Sequence, residues 1–285
     1  MRLVYLGTPP AAVPPLRALV GAGHDVVLVV SRADKRRGRG TDLTPSPVKA
    51  AALELGLPVT TDVDAAARVG ADLGVVVAFG RIIKPPVLAA LAMVNLHFSL
   101  LPRWRGAAPV ERAILAGDAE TAVCLMAVEE GLDTGGIYAE ERTPIGPDET
   151  AEQLRDRLVD IGSAMLIATL EAGLGTARPQ VGEPTYAEKI TPEDLHLDWT
   201  RPARELARLP RVGKAWTTFR GKRLLVIEAR PVPDGPEAGA LDGVVAGTAD
   251  AGLALVRVQP EGKGILAARD WVNGARPAQG ERLGA

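Results

Sequence analysis

Three short, mainly apolar runs constrain this chain more than anything else in it: residues 3–6, 26–30 and 75–78. Runs of that length suit strands buried on both faces, which occur where helices cover a parallel sheet. The intervening segments have the helical period. Val13, Leu16, Leu19 and Val20 mark one helix, and Pro47 opens another through Val48, Ala51, Ala52 and Leu55 before Gly56 stops it. Segments 94–98 and 123–128 read as further strands. Pro109 suits the first turn of a helix ending near Gly117, and Ala151–Ala172 reads as one long helix. Strands alternating with helices predict an α/β fold, a Rossmann-like, doubly wound and mostly parallel sheet.

The texture changes near residue 182. Segment 182–200 is rich in prolines and acids and has the character of a linker; beyond it come a helix at 201–209 and five short strands separated by Gly and Pro. That pattern suits a small OB-like β-barrel. The expected boundaries are therefore 1–181 for the first domain, 182–203 for the linker and 204–285 for the barrel. No apolar run approaches a membrane span of ~18 residues. The lone Cys124 allows no internal disulfide and no multi-cysteine metal site. A strand that begins almost at Met1 leaves no room for a signal peptide, so the expected location is cytoplasmic.

Net charge is only −2, but it is segregated. Six Lys and Arg face two acids across 32–49, and nine face two across 201–230. Two basic stretches in an otherwise acidic chain suit a polyanionic partner, although solvated surfaces would give the same pattern.

Scarcity points to the chemistry. The chain has three histidines, two asparagines and four serines, and Asn95, His97 and Ser99 stand at alternate positions of one predicted strand. Alternate strand residues share a face, and the carboxyl end of a parallel strand is where open α/β sheets bind ligands. A satisfied core histidine is the ordinary reading of one such residue; three polar groups on one buried face need partners. Asn donates to an oxyanion and His moves a proton near neutral pH, which suits acyl transfer to an amine. Asp133, in a glycine-flanked loop after the 123–128 strand, is the carboxylate placed to orient His97, although a turn role would also explain it. No serine or cysteine sits in a nucleophile elbow, and the histidines are too dispersed for a metal cluster.

Together Val94-Asn95-Leu96-His97, Ser99-Leu100-Leu101-Pro102-Arg103-Trp104-Arg105-Gly106-Ala107-Ala108-Pro109 and Gly131-Leu132-Asp133-Thr134-Gly135 resemble the folate-dependent formyltransferase family. Gly7-Thr8-Pro9, Pro45-Ser46-Pro47-Val48-Lys49 and Thr185-Tyr186-Ala187-Glu188-Lys189 agree best with its tRNA-acting branch. The resemblance implies direct transfer of a formyl group from 10-formyltetrahydrofolate, without a metal, to the α-amine of initiator methionyl-tRNA, a step of translation initiation. It implies Asn95, His97 and Asp133 as catalytic residues, and Ser99, Leu100, Leu101, Pro102, Phe79 and Gly80 as folate contacts. It also implies Arg36, Arg37, Arg39, Lys49, Arg204, Arg208 and Lys214 as tRNA contacts, in a monomer. A small amine or amino-sugar acceptor, or formyl-folate hydrolysis, is the alternative within the family. Phe98 stands where a small residue is usual, and Leu209-Pro210-Arg211-Val212 replaces an Asn-Pro-Trp-Pro-like turn. A dinucleotide-dependent oxidoreductase would need a GxGxxG fingerprint after the first strand, which Gly7-Thr8-Pro9 is not.

Overall fold

A computed structural model describes residues 1–36, 43–278 and 280–284. Its contacts cluster into two units. The first comprises Met1–Pro109, Glu120–Pro144 and Arg155–Glu188; the second comprises Val110–Ala119, Ile145–Leu154 and Lys189–Ala285.

The first unit is built on seven strands: β1 (Arg2–Gly7), β2 (Asp25–Val30), β3 (Val59–Thr60), β4 (Leu73–Val77), β5 (Met93–His97), β6 (Glu120–Ala127) and β7 (Ile137–Pro144). They lie in the order β7-β6-β5-β4-β1-β2-β3. The five strands from β3 to β5 are parallel, and their apolar runs are buried as expected, except that Val27 is half-buried and Ala78, past the end of β4, is exposed. The helices Val13–Gly21, Pro47–Glu54 and Ala151–Ala172 stand where the sequence periodicity put them. Ser46 caps the second of these by accepting from the Lys49 backbone N–H at 3.0 Å. At one edge the sheet departs from the expected parallel pattern. β6 runs antiparallel to β5, and β7, which the sequence did not announce, runs antiparallel to β6. The turn between β6 and β7 starts beside the amino end of β5, where the Val128 N–H donates to the Met93 carbonyl, and Asp133 in it reaches back to within 3.6 Å of His97.

The second unit is an antiparallel six-stranded sheet, with Ala215–Phe219, Lys222–Val232 and Gly252–Pro260 as its longest members. The C-terminal segment closes it into a barrel. Leu283 bridges Phe219 on one edge, and Arg282 bridges Ala240 beside the other. Leu197 and Trp199, inside the stretch expected as linker, are buried in this barrel's core with Phe219, Leu253 and Trp271. The Trp199 indole donates to Thr217 Oγ1 at 3.1 Å. A helix not foreseen, Ala268–Ala275, adds Trp271 to that core. Among the described residues no helix is long and apolar enough to cross a membrane.

Candidate active site

His97 ends β5 with its side chain buried, 6% exposed, and its two ring nitrogens face different oxygens. Nε2 lies 2.9 Å from the Trp104 carbonyl, and Nδ1 lies 3.6 Å from Asp133 Oδ2. A carbonyl and a carboxylate only accept, so Nε2 carries a hydrogen, and only a ring protonated on both nitrogens donates toward both groups. The Nδ1 separation exceeds a hydrogen bond, which leaves that nitrogen room for a water or a substrate oxygen.

Asp133 is held by two neighbours. Its Oδ2 accepts the Gly106 backbone N–H at 2.8 Å, and its own carbonyl accepts from the Gln180 amide at 2.8 Å. Its φ of 50° lies in the left-handed region, where a non-glycine residue costs roughly 1–2 kcal/mol. Gly135, two residues on, has no alternative side chain, because a Cβ there would collide with the Ala127 carbonyl of β6. The loop therefore grips the end of β6, and Asp133 leans back over His97.

Asn95 occupies β5 two residues before His97 and is half-buried. Among the described residues no group hydrogen-bonds its side-chain amide. A half-buried amide with idle donors beside an imidazole is equipped to bind an oxygen that gains charge. Ser99 lies just past the strand and is turned inward; its hydroxyl donates to the Arg103 carbonyl at 2.7 Å and shapes the loop rather than the open rim. Leu101 and Pro102 are also buried, joined by a cis peptide bond, while Leu100 is half-buried. Cys124 donates to the Ser99 carbonyl at 3.2 Å, and burial pushes its thiol up to about 12, which removes it as a nucleophile.

Residues with no role assigned from the sequence complete the site. Arg105 and Gly106 pair in parallel with Tyr186 and Ala187, and Thr185 Oγ1 accepts the Trp104 N–H at 2.9 Å. Gly106 has φ 119°, and a Cβ on it would stand 2.9 Å from the Ala187 carbonyl. The sequence marked Arg105, Gly106 and the Thr185-Tyr186-Ala187 stretch only as parts of motifs, and nothing marked Gln180.

Two clefts accompany the site, one in each unit. The first, about 540 Å³, opens at the carboxyl ends of β1, β2 and β4 and is lined by Thr8, Arg32, Lys35, Phe79, Gly80 and Arg81 among others. Phe79 is buried, and Gly80 is exposed at φ 71°. The second, about 500 Å³, lies within the second unit and draws in Arg204, Arg208, Arg211, Arg230 and Arg257. Arg208 donates to the Ala116 carbonyl at 3.1 Å, and Arg211 to those of Gly146 and Glu149, each at 2.9 Å. Glu228 pairs with both Arg230 and Arg257.

The remaining expected tRNA contacts are scattered. Arg37 and Arg39 lie outside the described residues, and Arg36 is described only as backbone in the short strand Lys35–Arg36. Lys49 is engaged by both carboxylate oxygens of Asp34, at 2.8 and 2.9 Å. Lys214 and Arg204 are exposed.

Comparison with known proteins matches both parts of the chain. The family described as formyl transferase matches residues 1–170, and its C-terminal domain matches residues 189–276. A methionyl-tRNA formyltransferase from Clavibacter sepedonicus is 48% identical over 297 residues, covering 96% of this chain and 97% of that protein. The solved methionyl-tRNA formyltransferase from Clostridium thermocellum superposes with a TM-score of 0.59 at 16% identity, covering 81% of this chain and 93% of that one. HypX from Aquifex aeolicus in complex with tetrahydrofolic acid superposes at 0.66 and 17% identity, covering 99% of this chain and 48% of that one. At such identities the two structures speak for the fold.

Proposed function

The chain belongs to the formyl transferase family, and we propose that it moves the formyl group of 10-formyltetrahydrofolate onto the α-amine of initiator methionyl-tRNA. The observation that carries the reading is the meeting of Asn95, His97 and Asp133 at one strand end, with the Asn95 amide idle and His97 Nδ1 only loosely engaged. That donor set fits a folate-borne formyl group, whose oxygen needs hydrogen-bond donors as charge builds on it. When bound, the folate supplies the one-carbon unit already activated on nitrogen. The protein's residues do the rest. Asn95 donates to the formyl oxygen. His97, anchored by Trp104 through Nε2, presents a proton at Nδ1. Asp133 supports the doubly protonated ring and keeps Nδ1 turned toward the reacting group. The segment from Ser99 to Pro102, with Phe79 and Gly80, is the proposed folate wall.

The tRNA reading rests on charge placement. Five arginines around one cleft form an electropositive surface suited to phosphodiesters. Arg208 and Arg211 are pre-organised by backbone carbonyls, and Glu228 keeps Arg230 and Arg257 extended until a phosphate competes for them. The first cleft, which Phe79 and Gly80 line, is proposed to take part of the folate.

The deciding experiment offers the enzyme 10-formyltetrahydrofolate with charged initiator tRNA, glycinamide ribonucleotide or an amino-sugar nucleotide. Formylation of methionyl-tRNA alone is expected. Transfer to either small amine in preference would replace this reading, and release of free formate would mark a hydrolase.

A further inference from the structure

Segment 178–187 carries no residue assigned to the chemistry, yet it holds both loops on which the chemistry depends. Arg178 exchanges backbone hydrogen bonds with Ile137 at the start of β7. Thr185 and Ala187 take the backbone N–H groups of Arg105, Ala107 and Ala108. Between those anchors lies Gln180, and all of its amide capacity is engaged. Nε2 donates to the carbonyls of Asp133 and Gly135, each at 2.8 Å, and Oε1 accepts from Arg105 Nε at 3.1 Å and Nη2 at 2.6 Å.

We propose that Gln180 is a positioning residue of the transfer reaction, fixing the Asp133 carboxylate opposite His97 Nδ1. The proposal rests on the reading that His97 and Asp133 act in that reaction. Arg105 is flanked by Trp104, whose carbonyl takes His97 Nε2, and by Gly106, whose N–H meets Asp133 Oδ2. Gln180 thus closes a ring that runs from His97 through Trp104, Arg105, Gln180 and Asp133 back to His97. The ring is needed because Asp133 sits at φ 50°, a conformation that persists only where its surroundings impose it. One amide bridging two carbonyls of that tight loop imposes it. Without the bridge, the carboxylate would keep only the Gly106 N–H, and the loop backbone would be free to leave the left-handed region. Displacement of a catalytic group by about 1 Å costs on the order of a hundredfold in rate, with little effect on binding.

Two substitutions separate the bonds. Gln180→Glu keeps an acceptor for Arg105 but loses both donors to the loop; Gln180→Met keeps length and loses everything polar. Each is expected to lower kcat by about 10- to 100-fold, with the KM for methionyl-tRNA and for 10-formyltetrahydrofolate changed by less than about threefold and the melting temperature close to that of the parent. The decisive readout is coupling, measured by single-turnover formylation in the Asp133→Ala background. If Gln180 acts through Asp133, Gln180→Met adds less than about a twofold loss there, because the group it positions is gone. A Gln180→Glu enzyme at the parent rate, or a Gln180→Met loss that multiplies in full with Asp133→Ala, overturns the proposal. An Asp133→Ala enzyme at the parent rate overturns instead the reading it rests on.

Discussion

Asp133→Asn isolates charge from shape. The substituted side chain can still accept the Gly106 N–H through its remaining carbonyl oxygen, so the loop stays anchored. What changes is the partner offered to Nδ1. The Oδ2 position meets both the Gly106 N–H and Nδ1, so with the amide oxygen kept there Nδ1 faces a neutral acceptor in place of a carboxylate, and the charge that supports a doubly protonated ring is gone. The magnitude follows from the 3.6 Å between Nδ1 and Oδ2. Opposite unit charges at that distance attract by about 4.6 kcal/mol at an effective dielectric of roughly 20. Converted whole into barrier height, that is a ceiling of about 2,000-fold. Desolvation of two groups that are 6% and 15% exposed offsets part of it, so the expected loss in single-turnover rate is about 100- to 1,000-fold. The assay uses enzyme in excess over charged initiator tRNA at saturating 10-formyltetrahydrofolate, with tRNA binding measured separately and expected to be unchanged. An Asp133→Asn enzyme within about fivefold of the parent, beside an inactive Asp133→Ala, would refute the charge argument. The aspartate would then serve only to tie its loop to Gly106.

Three further outcomes are expected. Asn95→Ala should lower kcat at least about a hundredfold while leaving the melting temperature almost unchanged, since the amide has no partner among the described residues; calorimetry beside kinetics checks both halves. Arg204→Ala, Arg230→Ala and Arg257→Ala should each weaken tRNA binding and reduce the slope of log affinity against log salt by about one for each phosphate no longer neutralised; an unchanged slope in all three removes the cleft from the interface. In the barrel, the Arg220 guanidinium and then the Ala278 N–H hold the Glu281 carboxyl down to about 2 from an ordinary 4.5. A depressed carboxylate contributes stability above its unfolded value and loses it as pH falls through its folded one. Glu281→Gln should therefore flatten the acid decline in denaturation midpoint between pH 4.5 and 2, and leave the midpoint's pH dependence above that window as it was.

How much of this the sequence discloses depends on which side of the chain carries the information. The parallel strands were legible because a strand buried on both faces must be mainly apolar, and 3–6, 26–30 and 75–78 are. Asn95 and His97 were legible because they break that rule at alternate positions. β7 was not: Ile-Tyr-Ala-Glu-Glu-Arg-Thr-Pro lies at the sheet edge, buries only Ile137 and Thr143 fully, and so shows no run at all. The linker texture of 182–200 was real in composition yet silent on Leu197 and Trp199, whose two apolar side chains suffice to enter the barrel core.

The brace across the active site was illegible for a deeper reason. A strand end can present an amide and an imidazole side by side, because its geometry fixes both. It cannot also supply a carboxylate facing them, since the next residue on that face lies two positions on, and here that residue is Ser99, turned into its own loop. The carboxylate must come from another segment, and a loop residue has to be held. Here the holding is done largely by main-chain groups: the Trp104 carbonyl, the Gly106 N–H, and the carbonyls of Asp133, Gly135, Thr185 and Ala187. Every residue but proline owns such groups, so their use leaves no trace in composition or period. The exceptions are the positions where the backbone comes too close for a side chain, Gly106 and Gly135, and two side chains: the Thr185 hydroxyl, which accepts the Trp104 N–H, and the Gln180 amide, which donates to two carbonyls while accepting from Arg105. A site assembled from distant loops is therefore written into a sequence twice: conspicuously in the reacting groups, and faintly in the glycines and the two side chains that let their loops meet.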